Sequence, residues 1–208
     1  MSKYYNIHIE NPQQRSLLQI VTDLNQGAVV AVPTDGCYAI CCRIDDKNAE
    51  KRMLQLRNLS DKDNHLLALL MADISQASHY AKVGNWAFKI LKKATPGAYT
   101  FILPASVNLP KRLHLKRKTI GIRIPDNKIL LDLLKLYNQP LYSSTLWQAG
   151  DDFPYFEPEL IKERFEHKLD IIIDGGVGSP EMSTIVSLLD NKLEILRPGK
   201  GNIDIFNI

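Results

Sequence analysis

Gly27-Ala28-Val29-Val30-Ala31-Val32-Pro33-Thr34-Asp35-Gly36 is the stretch on which the reading of this chain turns. Its run of alanine and valine has the β-branched, unbroken apolar character of a strand buried on both faces. Pro33 stops the run, because it lacks an N–H for the ladder. A hydroxyl, a carboxylate and a glycine follow at once, which are turn formers. A buried strand therefore ends in a turn that carries polar groups, the arrangement that functional turns use.

Working outward, Tyr38 to Ile44 reads as the next strand. Lys47 to Leu56 spaces Ala49, Met53, Leu54 and Leu56 among charges, so an amphipathic helix is expected there, delivering Arg57 at its C-terminal end. Leu66 to Met71 is a second apolar run. Trp86 to Leu91 lies in a helical segment that must end before Pro96-Gly97. Ala98 to Leu103 follows as a strand. In Thr119-Ile120-Gly121-Ile122-Arg123-Ile124 the isoleucines alternate, which puts Thr119 and Arg123 together on the opposite face. Ile129 to Leu136 reads as a helix, and Pro140 to Thr145 as a strand ending in hydroxyls. Asp151 to Pro158 suits a surface loop or lid, and Glu159 to His167 a helix. Leu169 to Asp174 is a strand closed by Gly175-Gly176. Ser183 to Leu188 and Leu193 to Arg197 make a hairpin around Asp190-Asn191. Helices and strands alternate early and strands accumulate late, which favours a mixed, twisted sheet with helices around it, an α/β (α+β) fold.

The 208 residues, 45% of them hydrophobic, suffice for one core, so a single domain over residues 1–208 is expected. No run approaches the roughly 18 apolar residues of a membrane span, and the first ten residues hold no signal-like segment. A soluble, cytoplasmic protein with no membrane partner is the expectation. Cys37, Cys41 and Cys42 lie too close together for a disulfide framework or a zinc site and read as reduced core thiols. The five histidines show no ligand spacing, so no structural metal is expected. Net charge is only +3, but Lys111, Arg112, Lys116, Arg117 and Lys118 fall within eight residues. That run is either a phosphate-attracting patch for RNA or a solvated loop.

Neither nucleotide-binding glycine fingerprint is present, and no nucleophile elbow. What remains is a set of polar residues at strand ends: Thr34, Arg57, Thr100, Thr119, Arg123, Ser143, Thr145, Ser183 and Arg197. Three arginines among hydroxyl donors suit a triphosphate or a carboxylate, because the guanidinium fork pairs with such oxygens two at a time.

Six short motifs occur in an order that resembles the YrdC-like family, and within it the YciO branch. They are Pro33-Thr34-Asp35-Gly36-Cys37-Tyr38, Pro96-Gly97-Ala98-Tyr99-Thr100, Ile122-Arg123-Ile124-Pro125, Ser143-Ser144-Thr145, Ser183-Thr184-Ile185-Val186 and Leu196-Arg197-Pro198-Gly199. The resemblance implies the YrdC/RibB-like fold with a concave basic surface. It also implies threonylcarbamoyl-AMP synthase chemistry, in which threonine, bicarbonate and ATP serve tRNA N6-threonylcarbamoyladenosine formation. By that resemblance Thr34, Arg123, Ser143 and Ser183 match threonine-binding positions. Arg57, Thr119, Thr145 and Arg197 match ATP-binding ones, with Arg57 and Arg197 in the catalytic role of neutralising phosphate. ATP is then a substrate, accompanied by Mg2+, and the basic run is a site for double-stranded RNA or tRNA.

Two family signatures are altered. The Lys-x-Arg of the synthases stands here as Arg57-Asn58-Leu59, and their Ser-x-Asn as Thr145-Leu146-Trp147. The expectation is a nucleotide- and RNA-binding protein with weak synthase activity. A fully active synthase and a non-catalytic nucleotide sensor are the alternatives. Trp147 either stacks on a bound base or packs against the loop that follows it.

Overall fold

The computed structural model describes residues 1–59, 67–110, 118–148 and 150–206. The elements run β1 (Lys3–Asn6), α1 (Gln14–Asn25), β2 (Val30–Val32), β3 (Ala39–Arg43), α2 (Lys47–Leu56), β4 (Ala68–Leu70), α3 (Ile74–Tyr80) and α4 (Asn85–Ala94). Then come β5 (Tyr99–Pro104), β6 (Thr119–Arg123), α5 (Lys128–Tyr137), β7 (Leu141–Thr145), α6 (Pro158–Phe165), β8 (Ile171–Asp174), β9 (Thr184–Ser187) and β10 (Glu194–Arg197). All ten strands join one sheet in the order β1-β8-β2-β3-β7-β4-β6-β5-β9-β10. Parallel pairs such as β4 with β6 sit beside antiparallel ones such as β3 with β7, so the sheet is mixed, as expected. No helix among the described residues is long and apolar enough to cross a membrane.

Strand parity sorts the core into two clusters. One face gathers Val29, Ala31, Ile40, Cys42, Leu69, Phe101, Ile120, Ile122, Tyr142 and Ile172 under α2, α3, α4 and α6. The other gathers Val30, Val32, Ala39, Cys41, Leu70, Leu141, Ile171 and Ile173 under α1 and α5. That second face changes character past β7. Its positions become Ser143, Ala68, Gly121, Arg123, Thr100, Ile102 and Ser187, and no described helix joins a hydrophobic cluster over them. Small and polar residues there give a helix nothing to bury against, so this half of the face is open in the sense that no helix packs on it among the described residues, although Ser143, Gly121, Arg123 and Ser187 are themselves buried.

The expected helix from Lys47 to Leu56 is α2 residue for residue, capped by the Asp46 carboxylate on Asn48 N and Ala49 N. Asn127 caps α5 in the same way on Leu130 N, and Asn138 ends it in the left-handed conformation at φ 55°. The three cysteines are free and buried. Three elements lie outside the expectations: β1, α1 and α3. Of these α1 had a legible signal, since Leu17, Ile20 and Leu24 recur at helical spacing and are buried. β1 had none.

What holds β1 in place is Asp174, at the far end of its parallel partner β8. The buried carboxylate accepts from Tyr4 Oη at 3.0 Å, Asn6 Nδ2 at 2.8 Å and Gly176 N at 2.9 Å. Burial, and then the bond to Asp174, push the Tyr4 phenol upward. Asp174→Ala leaves these donors unpaired, and unfolding in urea is expected to show a loss of about 2–3 kcal/mol.

Candidate functional site

Pleat and register bring the arginines to one edge of the open face. Leu70 of β4 pairs with Arg123, Thr100 of β5 with Ile185, and Ile185 with Arg197 of β10. The Phe101–Ile122 pair places Thr100 next to Arg123 one step further on. Side chains in register on neighbouring strands point the same way. Arg123, Thr100 and Arg197 therefore stand in one row. Ser143 lies in the adjoining row, opposite Ala68 and Gly121. Thr119 shares the face of Arg123 but sits at the other end of β6, about 13 Å along the strand. Only an extended ligand reaches both.

The turn after β2 closes on this row. Arg123 Nη2 donates to Thr34 Oγ1 at 3.0 Å and makes a short ion pair with Asp35 Oδ1. Asp35 Oδ2 accepts from Asp126 N at 2.9 Å, and Asn127 Nδ2 donates to the Thr34 carbonyl at 3.3 Å. The Thr34 hydroxyl donates to Cys37 O at 2.6 Å and accepts from Gly36 N at 3.0 Å. Ser183 Oγ shares a hydrogen bond of 2.9 Å with Thr100 Oγ1, while Ser143 Oγ donates to Ala68 O at 3.1 Å. Gly36 is required: a Cβ there would run into the Glu181 carbonyl, because the 175–183 segment lies directly on the turn. Ser179 N donates to Gly36 O at 3.1 Å and Cys37 N to Glu181 O at 3.2 Å.

Arg57 arrives by a different route. Helix α2 ends in a Schellman motif, with Leu59 N on Leu54 O at 2.8 Å, Asn58 N on Gln55 O at 3.0 Å, and Asn58 left-handed at φ 53°. Leu59 packs against the core, as the residue two beyond such a cap does. The guanidinium then donates from Nε to the Trp147 carbonyl at 2.7 Å and makes a short bond from Nη1 to Ser144 Oγ. Burial lowers the pKa of Arg57, and the same cause lowers that of Arg197, with the charge of Arg123 adding to it. Arg197 Nη2 donates to the Ser183 carbonyl at 2.8 Å, and Nη1 lies 3.5 Å from Met182 Sδ. Among the described residues neither arginine has a carboxylate partner. The Nε groups of Arg123 and Arg197 are buried without a hydrogen-bond partner among the described residues. Partly desolvated cations with idle donors are suited to an anion.

Cys37 sits among these cations as a neutral thiol. Burial pushes its pKa up, against the opposite pull of Arg123 and Arg197. Among the described residues no group of three His, Cys, Asp or Glu side chains comes together to hold a metal ion.

The structure thus brings Thr34, Arg123, Ser183 and Arg197 together and sets Thr145, half-exposed, at the end of β7. Of the basic run, Lys111, Arg112, Lys116 and Arg117 lie outside the described residues, and Lys118 is exposed. Trp147 is half-buried and donates its indole N–H to Asp151 O at 3.0 Å, a contact with the loop that follows it. That loop is stitched down by Tyr155 N on Leu146 O and Tyr38 N on Tyr155 O, both at 2.9 Å. Sequence reasoning assigned no role to Asp35 or Ser144. Asp35 had a signal, an acid in the motif turn, but its partner lies 88 residues away. Ser144 was grouped with its neighbours, although the pleat turns it to the other face.

Comparison with known proteins agrees with this geometry. The model of the Sua5/YciO/YrdC family, described as "Telomere recombination", matches residues 22–199. The uncharacterized protein YciO of Escherichia coli K12 is 41% identical over 99% of this chain and 100% of its own length. Its crystal structure superposes with a TM-score of 0.92, covering 99% of this chain and 100% of that one. A threonylcarbamoyl-AMP synthase of Mus musculus is 32% identical over 88% of this chain and 67% of its own length. The P. abyssi Sua5 crystal structure complexed with L-threonine has a TM-score of 0.85 at 26% identity, over 95% of this chain and 58% of that one. The chain belongs to the Sua5/YciO/YrdC family, which includes the threonylcarbamoyl-AMP synthases.

Proposed function

We propose that this chain binds ATP and threonine across the open face, binds duplex RNA or tRNA through its basic run, and makes threonylcarbamoyl-AMP slowly. The observation that carries the reading is the pair Arg57 and Arg197, partly desolvated cations held by neutral partners only among the described residues. Such groups cost stability until an anion arrives, and a triphosphate supplies several charges at once. Arg123, with Thr34, Ser143 and Ser183 nearby, is the group suited to an amino-acid carboxylate. The P. abyssi relative with bound L-threonine makes threonine the first amino acid to test.

In the proposed reaction the threonine amine takes up bicarbonate with loss of water. The resulting carbamate oxygen attacks the α-phosphorus of ATP, and diphosphate leaves. Arg57 and Arg197 hold the phosphates in line and neutralise the charge that moves to diphosphate. A magnesium ion accompanying the nucleotide would be carried by its phosphates and would offset their charge, as no cluster of three ligating side chains offers it a seat among the described residues. With Leu59 and Trp147 at the two altered signature positions, fewer donors follow the developing charge, and turnover is slow.

Diphosphate release should require threonine, bicarbonate and ATP together, and Arg197→Ala should abolish it. Release indifferent to threonine would overturn the synthase reading, and tight ATP binding with no release would leave a nucleotide sensor.

The same desolvation predicts a stability signature. Arg197→Met should leave the free protein within about 1 kcal/mol of wild type, since an apolar side chain replaces a costly cation. Thermal stabilisation by ATP should shrink in that variant, as read from the melting temperature.

For RNA, converting Lys116, Arg117 and Lys118 to glutamate should weaken filter binding of a short RNA duplex by at least about tenfold at 0.1 M salt and reduce its salt dependence. Unchanged binding would remove RNA from this run.

A further inference from the structure

Arg123 already holds a carboxylate. Its Nη2 is divided between Asp35 Oδ1 and Thr34 Oγ1, and the two charged side chains are each only 9% exposed. The Thr34 hydroxyl has no donor to spare, because its proton is committed to Cys37 O and its lone pairs face Gly36 N and Arg123. Of the other donors on Arg123, Nε is buried and Nη1 stands beside Nη2, and neither has a hydrogen-bond partner among the described residues. Both edges at which a guanidinium takes a carboxylate two-pronged, Nε with Nη2 and Nη1 with Nη2, include Nη2, so a carboxylate arriving from outside gains such a grip only by taking the place of Asp35.

Asp35 is placed to move. It stands in the turn between β2 and β3, outside the sheet. Its second oxygen is held by a single backbone N–H, that of Asp126, whose residue is exposed, so water can replace that bond. The guanidinium cannot follow it, because Arg123 belongs to β6, flanked by β4 and β5. One partner of the pair is set in the sheet and the other in a turn at its end.

We propose that Asp35 is a resident carboxylate that occupies the anion position of Arg123 in the free protein, and that a carboxylate ligand binds by displacing it. The inference rests on the reading of Arg123 as the amino-acid carboxylate group. It adds that the affinity of the cleft for such a ligand is set by internal competition. Apparent affinity is lowered by the fraction of molecules in which Asp35 is seated. Exchange of one carboxylate for another leaves the charge on Arg123 compensated throughout, so the buried cation is never exposed alone.

The test compares wild type with Asp35→Asn, which keeps the shape and one acceptor oxygen and removes the charge. Calorimetric titration with L-threonine, with acetate as the minimal carboxylate, and with L-threoninol, which lacks the carboxylate, separates the cases. The expected result is about tenfold tighter binding of threonine and acetate by Asp35→Asn and no gain for threoninol. Asp35→Glu retains the charge and should show no gain. Equal or weaker carboxylate binding by a folded Asp35→Asn would overturn the proposal and make Asp35 a positioning residue for Arg123. Threonine bound equally by both proteins would sink the competition and leave the threonine reading standing. A gain for acetate with no threonine binding by either protein would do the reverse. Should Asp35→Asn fail to fold, the wild type still decides the matter. The Asp35 carboxylate carbon signal in NMR should move on saturation with acetate, and an unmoved signal would overturn the proposal.

Discussion

Everything at this site depends on keeping guanidinium groups charged and partly out of water without, among the described residues, enough acid to balance them. For Arg57 and Arg197 the described partners are an alcohol, backbone carbonyls and a thioether. Neutral dipoles can orient a cation but return little of its lost hydration. The fold supports this cost elsewhere, through a two-faced sheet with fully buried strands such as β2 and β8. Those rigid strands end in the turn and loops that aim the polar groups.

The open half of the sheet follows from the same requirement. Ser143, Ala68 and Gly121 lie side by side across β7, β4 and β6, where the helix-covered half carries leucine, isoleucine and valine. Small side chains keep the floor low enough for a ligand to lie against it. The segments around it are held down rather than free: residues 175–183 rest on Gly36, and the loop after Trp147 is bonded to Leu146 and Tyr38. Backbone bonds of this kind hold the Thr34 turn in place before any ligand arrives.

Much of this architecture was legible because it is local. The α2 pattern, the alternating isoleucines of β6 and the hydroxyl-rich end of β7 each announce themselves within ten residues. What was not legible is non-local. The Lys3–Asn6 strand has no apolar alternation and owes its place to a parallel partner and to Asp174, 168 residues from Asn6. The Asp35–Arg123 pair spans 88 residues, so neither neighbour list reveals it. Ser144 shows the opposite failure: a hydroxyl cluster looks like one feature in sequence, but the pleat divides it, sending Ser143 toward Ala68 and Ser144 toward Arg57.

The two altered family signatures now have a physical account. A Schellman cap wants a left-handed residue followed by an apolar one that packs on the helix it ends. Asn58 and Leu59 meet that demand, so the position where the synthases carry a second cation here serves as an anchor that fixes the backbone of Arg57. In Thr145-Leu146-Trp147 the middle residue is fully buried, and the last gives its carbonyl to Arg57 and its indole to Asp151. The first change exchanges a side-chain cation for an apolar contact that anchors the backbone of Arg57, and the second exchanges a side-chain amide for an indole bonded to the following loop. Firm positioning of fewer charges serves ground-state binding of an anion. On the proposed function, catalysis needs interactions that strengthen as charge reaches the leaving diphosphate, and a second cation and a side-chain amide are groups that would supply them. On the proposed function, then, the exchange that anchors the backbone of Arg57 and the one that ties the indole to the loop are together what makes turnover slow.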